Sequence, residues 1–237
     1  MFGARLRMAE GRYCPVMTFL LGGRASPVGW AVQYLDASVN EVLAAVEEVR
    51  HGTPITVFPA KRYPDVLFDL PPFEAPWTRE LLLECGDWTA YLNNFVNGGD
   101  STAIGPAIAR QMNIRCVVAE HTPRYGPGHE GTQLLVSGPA GEPPLMRERT
   151  LSAVATDRRW EWYTSGTPFP FEDLDRYTAR RIRDRLDREL LVHYLQELGI
   201  DADQDTAYGL GIIVQQDVAW SRRTVSLEAA RAELDRS

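Results

Sequence analysis

Four apolar runs, at 114–120, 131–137, 147–156 and 159–165, follow one another with only turn-forming residues between them. Tyr125-Gly126-Pro127-Gly128, Ser137-Gly138-Pro139 and Asp157-Arg158 supply those turns. Parallel neighbours need a crossover of a dozen residues or more, usually a helix. These connections leave no room for one, so 114–165 predicts an antiparallel meander. Whatever else the chain forms has to pack around that sheet.

The rest of the pattern adds strands and helices to it. Runs at 79–85 and 88–95 flank Gly86-Asp87 and predict a hairpin. Shorter strands are expected at 30–35, 55–58, 66–70 and 209–214. Ser38 with Glu41 three residues on forms a capping box, and Val39, Val42, Leu43 and Val46 continue at helical spacing to about Arg50. A second helix is expected from near Ile104 to about Met112, because Pro106 is tolerated only in a first turn. The strongest helical period runs over 173–198. There Leu174, Tyr177, Ile182, Leu186, Leu190, Tyr194 and Leu198 share one face, with Gly199 as a stop. On that helix Arg180–Asp184, Arg183–Asp187, Asp184–Arg188 and Arg185–Glu189 would form i,i+4 pairs. A short closing helix is expected at 226–234. The fold class is therefore α+β. It has one mainly antiparallel sheet of about six strands, two shorter helices, and one long helix packed across the sheet, with the tail closing its edge. A single domain over 1–237 is expected, with a sub-boundary at the Gly/Pro stretch 166–170.

Composition narrows the function classes. Hydrophobic residues make up 44% and charged residues 24%, which excludes global disorder. Cys14, Cys85 and Cys116 are too few and too scattered for a disulfide framework. Arg5, Arg7 and Arg12 before the apolar run 16–21 resemble a signal peptide, but Thr18 and Gly22-Gly23 make the run too short. Met1, Met8 and Met17 are alternative starts. No run reaches the length of a membrane span, so a cytoplasmic protein without membrane association is expected. A net charge of −7 argues against nucleic-acid binding and for a basic protein partner. Lys61 is the single lysine among 25 basic residues, the codon usage of a GC-rich, bacterial coding sequence.

Candidate chemistry is sparse. No P-loop, HExxH, CxxC or GxSxG pattern occurs, and no cofactor is expected. Asp100, in the loop 97–102, and Glu120, His121 and His129, around the loop 121–130, are the candidate catalytic groups. Two histidines facing each other across a hairpin loop suit acid–base chemistry. Cys116 with His121 and His129 is the nearest approach to a metal set. Glu84, Asp87 and Asp100 are acids that turns could bring together. Asp201, Asp203 and Asp205 sit at alternate positions like the start of a calcium loop, but Thr206 stands where glycine is required. With Glu197 and Asp217 they make a stretch of five acids and no base, a surface for a basic partner. Trp160 and Trp162 alternate onto one face and are expected in the core.

Two function classes follow. The first is a non-catalytic acidic protein-binding module: an inhibitor, an immunity or antitoxin-type protein, or an assembly factor, with Asp201, Asp203, Asp205 and Asp217 as contacts. The alternative is a small-molecule-binding protein or hydrolase-like enzyme, with its site at the 97–102 and 121–130 loops.

Overall fold

The computed structural model describes residues 19–96, 104–124, 130–218 and 223–234. The expected meander is present as β7 (Cys116–Thr122), β8 (Gly131–Glu142), β9 (Arg147–Ala155) and β10 (Trp160–Gly166), antiparallel throughout. It is one flank of a larger sheet. The other strands are β1 (Ala31–Leu35), β2 (Ile55–Val57), β3 (Lys61–Arg62), β5 (Arg79–Cys85), β6 (Trp88–Asn93) and β11 (Tyr208–Gln216). Ten strands therefore join where about six were expected, in the order β10-β9-β8-β7-β1-β6-β5-β11-β2, with β3 also beside β11. A separate pair, β4 (Phe73–Ala75) and β12 (Arg223–Val225), forms a two-stranded sheet.

Strand alternation divides the sheet into two apolar faces. On one face Leu35, Leu82, Tyr91, Val118 and Val214 meet helices α1 (Val39–Val49) and α2 (Gly105–Met112) through Val42, Val46 and Ile108. The capping box is formed as expected: Glu41 N donates to Ser38 Oγ, and Ser38 N donates to Glu41 Oε2. On the other face Tyr34, Leu83, Val117, Leu134 and Leu151 meet Phe19, Leu67, Phe73, Leu191, Tyr194 and Ile200. Trp160 and Trp162 pack against this second core, as their alternation predicts.

The helix expected at 173–198 is present but starts later. Its regular part is α3 (Arg188–Glu197), preceded by 3-10 turns at Arg176–Thr178 and Ile182–Asp184. Side chains compete with the helix for its backbone here. Asp187 caps α3 by accepting from Leu190 N (2.9 Å), and Thr178 Oγ1 donates to Asp175 O (2.8 Å). Leu174, expected on the apolar face, is 52% exposed. The i,i+4 ion pairs are replaced by Arg176–Asp187 and a loose contact of Arg183 with Asp184. Residues 66–70 are not a strand. They form a 3-10 turn, Asp65–Asp69, between Pro64 and Pro71, which buries Val66, Leu67 and Leu70. The tail does not close the sheet edge. It returns as β11 inside the sheet, between β5 and β2, and α4 (Leu227–Leu234) follows.

One buried ion pair locks the 166–172 segment onto β9. Arg149 Nε and Nη2 donate to the two carboxylate oxygens of Glu172 (2.8 and 2.6 Å), and Nη1 donates to Ser165 O and Gly166 O. Glu172 also accepts from Phe169 N and the Tyr177 hydroxyl. Gly166 has φ +83°, and a Cβ there would meet Glu148 O at 2.0 Å. Only glycine fits that approach.

Candidate functional site

Turns at one end of the sheet carry acids from two distant stretches of the chain. Glu84 and Asp87 flank the β5–β6 hairpin turn. Asp201, Asp203 and Asp205 belong to the turn between α3 and β11. Backbone and side-chain bonds join these segments: Gly86 N donates to Ala207 O (3.1 Å), and Leu210 N donates to Glu84 Oε2 (2.8 Å). Buried Ile200 and Ala202 anchor the acidic turn in the core.

Three tyrosines fasten the turn from beneath. Tyr34 and Tyr208 are buried with their hydroxyls 3.1 Å apart, and Tyr208 donates to Ala202 O (2.7 Å). Tyr63 stacks on Tyr208 at 5.1 Å and donates to Asp205, which also accepts from Leu21 N (3.1 Å). Burial pushes all three phenols above their ordinary range, so they remain donors. Burial likewise raises the Cys85 thiol beneath this turn to about 12, which removes it as a nucleophile.

Glu84, Asp87, Asp201 and Asp205 are exposed and Asp203 is half-buried, and none of the five forms an ion pair among the described residues. Three of the less exposed acids elsewhere are paired: Glu80 with Arg50, Glu148 with Arg115, Glu172 with Arg149. Arg62 and Lys61, opposite Leu210 and Gly211 in the register, and Arg24, which acts on Tyr63, are cations near the acidic end. Asp217 does not belong to it. The nine residues of β11 separate Asp217 from Asp205, a span of roughly 27 Å at the usual strand rise.

The other expected groups do not assemble. Glu120 and His121 are neighbours on β7 and therefore face opposite sides of the sheet. Glu120 accepts from Gln133 Nε2 (3.0 Å) on the α1/α2 side. His121 Nδ1 lies 3.0 Å from Thr132 Oγ1 on the α3 side. Burial, with Arg188 nearby, depresses its pKa to about 4, and Asp187 offsets part of the shift. Cys116 is five residues from His121, so it too lies on the opposite face from it, and burial raises its thiol to about 12. The pairing of Cys116 with His121 in one metal set is thus corrected by alternation. Among the described residues no cluster of three histidine, cysteine or carboxylate side chains is placed to hold a metal. Asp100 and His129, with most of the 97–102 and 121–130 loops, lie outside the described residues. Gly126, Gly128 and Gly131 have GxGxxG spacing, but they lead into the strand β8. A dinucleotide cradle needs a helix N-terminus there. His51 and His193 are exposed.

Sequence reasoning missed the buried polar groups. Glu80 has no exposure, lies between Arg50 and the Tyr91 hydroxyl (2.8 Å), and sits on the α1/α2 face. Only its place in an apolar strand marked it.

Comparison with family models, with curated proteins and with solved structures returns no match to this chain. No helix among the described residues is long and apolar enough to cross a membrane.

Proposed function

We propose that this protein is a non-catalytic binding module that recognises a basic protein partner through the acidic end of its sheet. The observation that carries this reading is the convergence of five acids without ion-pair partners among the described residues, from segments more than a hundred residues apart, with the 201–205 turn fastened by Tyr208 and Tyr63 and bonded to the hairpin turn. Rigid, uncompensated charge steers association and discriminates among partners. A turn already held in place has less ordering entropy to lose on binding.

Affinity capture from the host lysate, at low and high salt, tests the reading. Wild type is expected to retain one stoichiometric basic partner that is released by salt. Asp87 and Asp201 are exposed and make no side-chain hydrogen bond among the described residues, so Asp87→Lys/Asp201→Lys keeps the melting temperature and loses the partner. A partner retained equally by that variant, or indifferent to salt, removes the acidic end as the interface.

A further inference from the structure

Further along β11, between the β2–β3 edge and the 3-10 turn at Asp65–Asp69, lies a cleft of about 430 Å³. That volume falls in the ~300–1,000 Å³ range of small-molecule sites. Its walls are mostly apolar, from Phe58, Val66, Phe68 and Ile213 with Pro59 and Pro71. Phe58 is 41% and Phe68 51% exposed, so two aromatic rings are left partly to water around a concavity. Charge enters through three side chains only: Lys61, Arg79 and Asp69.

Those three are arranged for an anion. Arg79 is fixed in the wall, with Nε donating to Gln215 Oε1 (3.0 Å) and Nη1 to Asp69 O (3.0 Å) and Pro71 O (2.6 Å). Its Nη2 has no acceptor among the described residues. Lys61, the chain's single lysine, pairs with Asp69 at 2.5 Å, and both side chains are about half exposed. Such a solvent-exposed pair is weak and readily exchanged. Two cations against one carboxylate leave the cleft with a net charge of +1.

We propose that this cleft binds a small amphipathic organic anion. Its aromatic or aliphatic body lies against Phe58, Phe68, Val66 and Ile213. Its carboxylate, phosphate or sulfonate is taken by Arg79 Nη2 and by Lys61, which gives up Asp69 for the ligand. This site adjoins the acidic end along β3 but shares no lining residue with it, and its test does not depend on that reading.

The lone lysine provides a reporter. Reductive ¹³C-methylation labels Lys61 without removing its charge, and its NMR signal is followed while 8-anilinonaphthalene-1-sulfonate is titrated in. N-phenyl-1-naphthylamine, the same body without the sulfonate, is the control. The anionic probe is expected to bind saturably at one site and to shift the Lys61 signal. Lys61→Gln should weaken it by about five- to tenfold, the loss of one charge-assisted hydrogen bond at a half-exposed position. Asp69→Asn, which frees Lys61, should tighten it by about threefold. Neither substitution should alter binding of the uncharged control, and both variants should keep the wild-type melting temperature. Non-saturable binding, an unmoved Lys61 signal, or weaker binding by Asp69→Asn would each overturn the proposal. The last of these would mark the cleft as a site for cations. A cleft that takes an acidic peptide but not the small anion overturns it as well.

Discussion

At the scale of single residues, His121 shows how position decides chemistry. Its imidazole is held against Thr132 under α3, close to Arg188, and is neutral at pH 7 because its pKa is near 4. The unfolded chain, with an ordinary histidine pKa near 6.5, binds that proton more readily. The histidine's contribution is therefore complete above pH ~6.5 and is lost as pH falls toward 4. Allowing for partial solvent screening, this amounts to on the order of 1–2 kcal/mol. Urea unfolding at pH 7.5 and 4.5 should show a smaller acid loss in His121→Gln than in wild type. Equal losses would mean that the imidazole carries no such shift. The sequence marked His121 as chemically interesting, but its partner His129 lies outside the described residues, and its neighbours Cys116 and Glu120 are turned to the other face. Strand parity was available at once from the sequence. The packing of α3 over one face was not.

At the scale of elements, the segment after β10 is held by one ion pair rather than by helical propensity. Arg149→Met would leave the Glu172 carboxylate buried without its cation, and should cost about 3–5 kcal/mol in urea unfolding. A loss below about 1 kcal/mol would mean that the segment is anchored elsewhere. This pair explains much of what was not legible beforehand. Periodicity over 173–198 was real in its second half, where Leu186 and Tyr194 are buried, but the buried face is turned toward Leu191 and Leu195, and the expected Leu190 and Leu198 are half-buried. In the first half, Asp173 accepts from Arg176 N, Thr178 Oγ1 donates to Asp175 O, Asp187 accepts from Leu190 N and from Arg176, and Glu172 is committed to Arg149. A charged pattern with i,i+4 spacing reads the same whether a helix forms or not. The meander, the 79–93 hairpin and the Ser38 cap were legible because turn chemistry and alternation are local signals. The 66–70 run was not, since a short apolar stretch between prolines fits a strand or a turn equally well.

At the scale of the whole molecule, the sequence gap between pairing strands matters most. The acidic end was half legible. Asp201, Asp203 and Asp205 stood out by spacing, but nothing local says that Glu84 and Asp87 join them or that Asp217 leaves them. Both facts follow from β11 entering between β5 and β2. The same insertion predicts the outcome of cutting the chain. Limited proteolysis within 166–170, followed by size exclusion without denaturant, should give a nicked protein whose two pieces co-elute. Removing the C-terminal piece would strip an interior strand from the sheet. Fragments that separate freely and stay folded would show two independent units.

β11 also sets an order of events during synthesis. β2 and β3 leave the ribosome about 150 residues before the strand that completes them. Until then β2 and β3, and the side of β5 that β11 covers, have no partner strand. Pairings of such long sequence separation form slowly, and unpaired apolar edges invite other chains. A transcript truncated, or a ribosome stalled, anywhere before Tyr208 should therefore release a product that sticks to its neighbours and to chaperones. The nine residues of β11 decide whether β2 and β3, made long before, are joined to the sheet.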